Sequence, residues 1–161
     1  MDEKDEAIIG ILARQANLSS RTLSKMTGLP ISTVHRRIKR LEREGVIIGY
    51  KALIDYEKTT KPIGALLLID LTEGSGRNHI AKNDIVANFR KLEEIEEIIE
   101  VQAFNFDLIV KARFPSLERL SVFIEEIRSM EGIEELASAI ITEEETSLSD
   151  DTKYRAKTRR T

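Results

Sequence analysis

Between residues 31 and 43 the apolar side chains Ile31, Val34, Ile38 and Leu41 recur at three- and four-residue spacing. That period places them on one stripe of a helix, which predicts that they pack inward. Ser32, Thr33, Arg36, Lys39, Arg40 and Arg43 fall on the opposite side, with His35 and Arg37 on the two flanks. Upstream, Ile8, Ile9, Ile11 and Leu12 cluster at helical spacing behind an acidic first turn, predicting a first helix over 5–16. Ser19 suits the N-cap of a short second helix carrying Leu23 and Met26, and Gly28 ends it. Pro30, before the third helix, presets the backbone but has no side-chain acceptor, so the first turn of that helix lacks a cap. Gly45 suits the C-terminal end, and Val46, Ile48, Tyr50, Ala52 and Ile54 alternate as an extended wing or linker strand.

The polar stretch 55–62, DYEKTTKP, breaks this pattern and marks a boundary. A continuous apolar run over 65–71 is short enough for a buried strand, and 73–76, EGSG, is a turn. Ile85, Phe89 and Leu92 share one face of a helix over 80–92. Two strands follow over 98–106 and 108–114, with the turn at 105–107. Leu117, Leu120, Phe123, Ile124 and Ile127 define a second helix, and 137–142 a last strand. The order βαββαβ is the ferredoxin-like arrangement, one antiparallel sheet with both helices on the same face. Its other face calls for a cover, for which a second copy is the economical solution. The expected class is therefore α+β. A helix-turn-helix domain with a wing occupies 1–54, a linker 55–62, the ferredoxin-like domain 63–146 and a polar, basic tail 147–161.

Charge sharpens this division. The formal net charge is −3, yet 7–53 holds nine Lys or Arg against two Glu, whereas 62–152 holds eight cations against twenty acids. Cations are concentrated where phosphates would be met. Two short helices around a Gly-containing turn, the second one basic, form a helix-turn-helix signature. Its short polar residues at the N-terminal end suit base edges in the major groove, and the longer cations suit phosphates. A solvated basic helix is the plainer reading of the same residues. Ser32, Thr33, His35, Arg36, Arg37, Lys39, Arg40, Arg43 and Lys51 are the candidate DNA contacts. The chain has no cysteine and only two histidines, His35 and His79, so neither a metal centre nor a cofactor is expected. An acidic start with no sustained apolar run predicts neither a signal peptide nor a membrane span, hence a cytoplasmic protein. The tail 153–161 carries five cations and no acid, which suits a solvated end or non-specific phosphate contacts.

The ordered residues Ile11-Leu12, Leu23, Gly28-Leu29, Ser32-Thr33-Val34, Arg36-Arg37-Ile38, Arg40-Leu41-Glu42, Gly45-Val46-Ile47 and Gly49-Tyr50 resemble the N-terminal domain of the Lrp/AsnC, or feast/famine, family. Looser similarity continues to about residue 145. The resemblance implies a sequence-specific transcription regulator whose partners are double-stranded DNA and further copies of itself, as a homodimer, tetramer or octamer. It also implies a small-molecule effector, often an amino acid, bound between dimers. The family's ligand motif, Gly-x-x-Asp between the second and third strands, gives Phe104, Asn105 and Asp107 as candidate effector residues. Asp107 matches the acid, but Phe104 occupies the glycine position and would narrow or fill the pocket. A turn residue bonding to local backbone is the plainer role for Asp107. Two other functions fit the same plan. One is an architectural DNA-binding protein with little sequence preference. The other is an enzyme, since the two domains also resemble sirohaem decarboxylase subunits, which bind a tetrapyrrole with histidines of the second domain; His79 is the one histidine available there.

Overall fold

The computed structural model describes residues 1–72, 81–103 and 105–144. The described residues form two compact units that meet in sequence between Leu53 and Ile54. Among them no helix is long and apolar enough to cross a membrane, and no group of His, Cys, Asp or Glu is placed to hold a metal ion. His79 and the tail 147–161 lie outside the described residues.

The first unit is three helices, α1 (Glu3–Arg14), α2 (Ser20–Thr27) and α3 (Ile31–Arg43). Each end has a local cause. Asp2 caps α1 in a reciprocal box with Asp5, and Ser19 caps α2 through the Thr22 amide. Helix α2 stops at Gly28 with φ +70°, where the Ser24 hydroxyl donates to the Leu29 carbonyl at 2.5 Å and holds the turn. At the end of α3 the Val46 amide donates back to Leu41 and the Gly45 amide to Glu42, the double bond pattern that a left-handed residue makes possible. Gly45, also at φ +70°, supplies that conformation. As expected, no side chain caps the start of α3. Ile8, Leu12, Leu23 and Val34 form the core, with Ile11, Leu18, Leu29, Ile38 and Ile47 packed against it.

Two expectations are corrected here. Ile31 is 46% exposed, because helical side chains lean toward the N-terminus and the first residue leans past the helices that cover Val34. The stretch 46–54 forms no strand among the described residues; Ile47 turns inward, while Val46, Ile48, Tyr50 and Ile54 are exposed, Ile48 by 95%, so the alternating residues have neither a strand to ladder with nor a core to face.

The second unit opens with a single 3-10 turn, Tyr56–Lys58, within the stretch expected to be linker. It continues as β1 (Ile63–Leu71), α4 (Lys82–Phe89), β2 (Ile95–Glu100), β3 (Leu108–Phe114), α5 (Leu117–Arg128) and β4 (Ile133–Ile141). The sheet is antiparallel with order β2-β3-β1-β4, leaving β2 and β4 as its edges. Ala65, Leu67, Ile69, Leu108, Val110, Ala112 and Phe114 point to the helices and close around Phe89, Leu120, Phe123 and Ile127. The opposite face carries Leu66, Leu68 and Ile109 half-buried and Ile99, Ala137 and Ala139 exposed. At one end of that face Arg113 is almost fully buried, its guanidinium 4.1 Å from the centre of the Tyr56 ring and paired with Glu96 and Glu144. A Cβ on Gly64 would stand 2.6 Å from the Arg113 Nη1, so only glycine lets the guanidinium lie there.

Strand β2 begins three residues before the expected start and ends six before the expected end. The glutamates at 96 and 97 hid its beginning; Glu96 pairs across the sheet with Lys111 and Arg113, and Glu97 stands in register with Lys111. The link to β3 is accordingly longer than a tight turn. Helix α4 is shorter than expected, and β4 starts earlier, at Ile133.

Candidate nucleic-acid interface

Helix α3 is oriented by its apolar stripe: Val34 is fully buried and Leu41 nearly so. This turns Ser32, His35, Arg36, Lys39 and Arg43 to solvent, with Thr33 partly covered beside them. Ser32 and Thr33 sit in the first turn, before the cations, as the sequence predicted. Arg36 and Arg43 form no ion pair among the described residues, and neither does Lys51, exposed in the extended stretch that follows. Lys39 pairs with Glu42 at 2.8 Å, but its side chain is 64% exposed, and an exposed pair of this kind yields readily to a phosphate.

Arg37 and Arg40 are placed differently from the expectation. Arg37 Nη1 donates to Asp5 at 2.7 Å and to Asp2 at 2.8 Å, and Arg40 Nη2 donates to Asp5 at 2.5 Å. The Asp5 carboxylate is fully buried, the Arg37 side chain is 16% exposed and that of Arg40 38%. The cause is the capping box at the start of α1, which fixes the two carboxylates beside the middle of α3. The Asp2 amide bond and then the Arg37 guanidinium hold the Asp5 carboxyl down to about 2, against the opposing effect of burial. A carboxylate held down in this way adds stability above the ordinary carboxyl range. That contribution disappears as pH falls through about 2. Sequence reasoning passed over this contact, although Asp2 and Asp5 have cap spacing and Arg37 falls on the core period between Val34 and Leu41. A smaller one ties the exit of α3 to the following stretch: the Tyr50 hydroxyl donates to Glu42 at 2.9 Å. The Lys39 and Tyr50 bonds lower the Glu42 carboxyl, while burial and Glu42 raise the Tyr50 hydroxyl.

Of the three candidate effector residues, Phe104 lies outside the described residues and Asn105 is exposed. Asp107 is engaged in the fold. Its carboxylate accepts the Leu71 amide at 3.1 Å, and its own amide donates to the Ile69 carbonyl at 2.9 Å, so it fastens the loop to the end of β1. The bond to local turn backbone expected for Asp107 is replaced by bonds to β1.

Residues 1–48 match the family described as winged helix-turn-helix DNA-binding, and residues 69–148 the family described as Lrp/AsnC ligand binding domain. The chain is 34% identical to the HTH-type transcriptional regulator FL11 of Pyrococcus abyssi, over 88% of this chain and 89% of that one. It is 30% identical to the leucine-responsive regulatory protein of Haemophilus influenzae, over 89% and 85%. Among solved structures, a transcriptional regulator of Neisseria meningitidis in complex with L-Met shares the fold, with a TM-score of 0.78 at 23% identity, covering 92% of this chain and 94% of that one. The protein belongs to the Lrp/AsnC family of DNA-binding transcriptional regulators.

Proposed function

We propose that the protein binds double-stranded DNA sequence-specifically, as a homodimer or a higher even assembly in the cytoplasm, and acts as a regulator without catalysing a reaction. Helix α3 enters the major groove with Ser32, Thr33 and His35 toward base edges and Arg36, Lys39 and Arg43 toward phosphates, and Lys51 adds a flanking contact. The observation that carries this reading is the solvent face of α3, where short hydrogen-bonding residues precede exposed cations. Assembly is supported by the sheet face bearing Leu66, Leu68 and Ile109, too apolar to be left to water in a domain this small. Selection of bound DNA from random oligonucleotides should return paired half-sites about 10 bp apart, or a multiple of that. Equal binding to every sequence in competition would instead favour architectural binding, and light scattering that gave a monomer mass would remove the symmetric assembly.

For the effector, we propose that the common amino acids bind weakly or not at all. One oxygen of Asp107 already accepts the Leu71 amide, and Phe104 stands where the family motif has the glycine that lets backbone approach a ligand. A ligand at a hundred times its dissociation constant stabilises by about 2.7 kcal/mol, so thermal-shift measurements with each amino acid at millimolar concentration are sensitive enough. No upward shift is expected with the wild type. A clear one would restore amino-acid regulation, and a shift gained only in Phe104→Gly would identify the ring as the obstacle.

A further inference from the structure

The brace between α1 and α3 has a consequence for specificity. Asp5 receives both Arg37 and Arg40, and Asp2 receives Arg37 again, so two of the five cations on α3 are matched by two carboxylates. Phosphate contacts raise affinity for any sequence alike, while base contacts discriminate. Resting on the reading that α3 faces DNA, we infer that Asp5 is a specificity-determining residue: it withholds Arg37 and Arg40 from DNA phosphates and keeps α3 seated through them. The hold on Arg37 is the tighter, since its Nη1 lies within 2.8 Å of both carboxylates. Arg40 makes a 2.5 Å bond to the fully buried Asp5 carboxylate, with Glu44 a looser ion-pair partner at 3.9 Å. Both arginines are positioning residues, and the discriminating work is left to Ser32, Thr33 and His35.

Salt dependence separates this role from ordinary fold support, because the log-log slope of affinity against salt changes by about 0.9 per phosphate gained or lost. In the full-length chain, Asp5→Asn keeps an acceptor for the Asp2 amide while removing the charge. With Arg37 still held on Asp2 and Arg40 freed, its slope should steepen by about 0.9 per protomer, and affinity for random DNA should rise about eightfold at 0.1 M salt, more than affinity for the selected site. Loss of both affinities together, with an unchanged or shallower slope, overturns the inference. Arg37→Gln gives a second measurement that leaves Arg40 on Asp5. Its slope should equal that of the wild type, whereas Arg36→Ala should lose about 0.9. A steep wild-type slope that Arg37→Gln flattens overturns the inference alone. A wild-type slope near zero overturns the DNA-facing assignment of α3, and the inference with it.

Discussion

A triple variant, Arg36→Ala with Lys39→Ala and Arg43→Ala, is expected to bind DNA about 500-fold more weakly at 0.1 M salt for each recognition helix engaged. The figure follows from counterion release. Each phosphate contact contributes a slope of about 0.9, which is about eightfold between 1 M and 0.1 M salt, and three contacts multiply. All three side chains are exposed and project away from Val34 and Leu41, so folding should be spared. The loss should be the same for the selected site and for random DNA, because phosphates carry no sequence. Titrations at several salt concentrations check it. A triple variant that retained wild-type affinity and slope would show that α3 presents some other face to DNA, or that DNA is met elsewhere.

The second large effect concerns the body of the molecule. Phe123→Ala is expected to lower the stability of the ferredoxin-like unit by about 3–5 kcal/mol. Phe123 is 1% exposed, stands edge-on to Phe114 with ring centres 5.1 Å apart, and lies beneath the Arg119 guanidinium. Its removal forfeits apolar burial, leaves a cavity between α5 and the sheet, and breaks the aromatic pair. Domains of ordinary stability have only about 5–15 kcal/mol to lose, so the variant should melt far earlier or fail to accumulate. Urea unfolding followed by circular dichroism gives the number. A cost below about 1 kcal/mol would mean that the core closes over the gap, contrary to the dense packing around Phe89, Phe114 and Ile127.

What the chain revealed in advance divides along physical lines. Helices with a covered stripe and a local stop were readable, because Val34 and Leu41, Ser19, Gly28 and Gly45 act within a few residues of one another. So was the order of elements along the second unit, since a short apolar run such as 65–71 between polar stretches leaves few alternatives. Contacts between charges far apart in sequence were not. Arg37 and Asp5 are 32 residues apart, and an arginine beside a basic helix reads as a phosphate ligand until its partner is seen. Strand β2 was misplaced for a related reason: Glu96 and Glu97 look like loop until Lys111 and Arg113 are set opposite them. The stretch 46–54 had strand-like alternation, but a strand also needs a neighbour, and alternation does not say whether one is present.

The two edges of the sheet bear on how copies can join. Edge β2 carries Glu97 and Glu100 and edge β4 carries Glu134 and Glu135, all exposed. A copy approaching edge-on would bring rows of like charge together just where backbone pairing would otherwise extend the sheet without limit. Growth into a ribbon is thereby discouraged, whereas stacking on the face that bears Leu66, Leu68 and Ile109 would end once both surfaces were covered. Assembly by that route is finite.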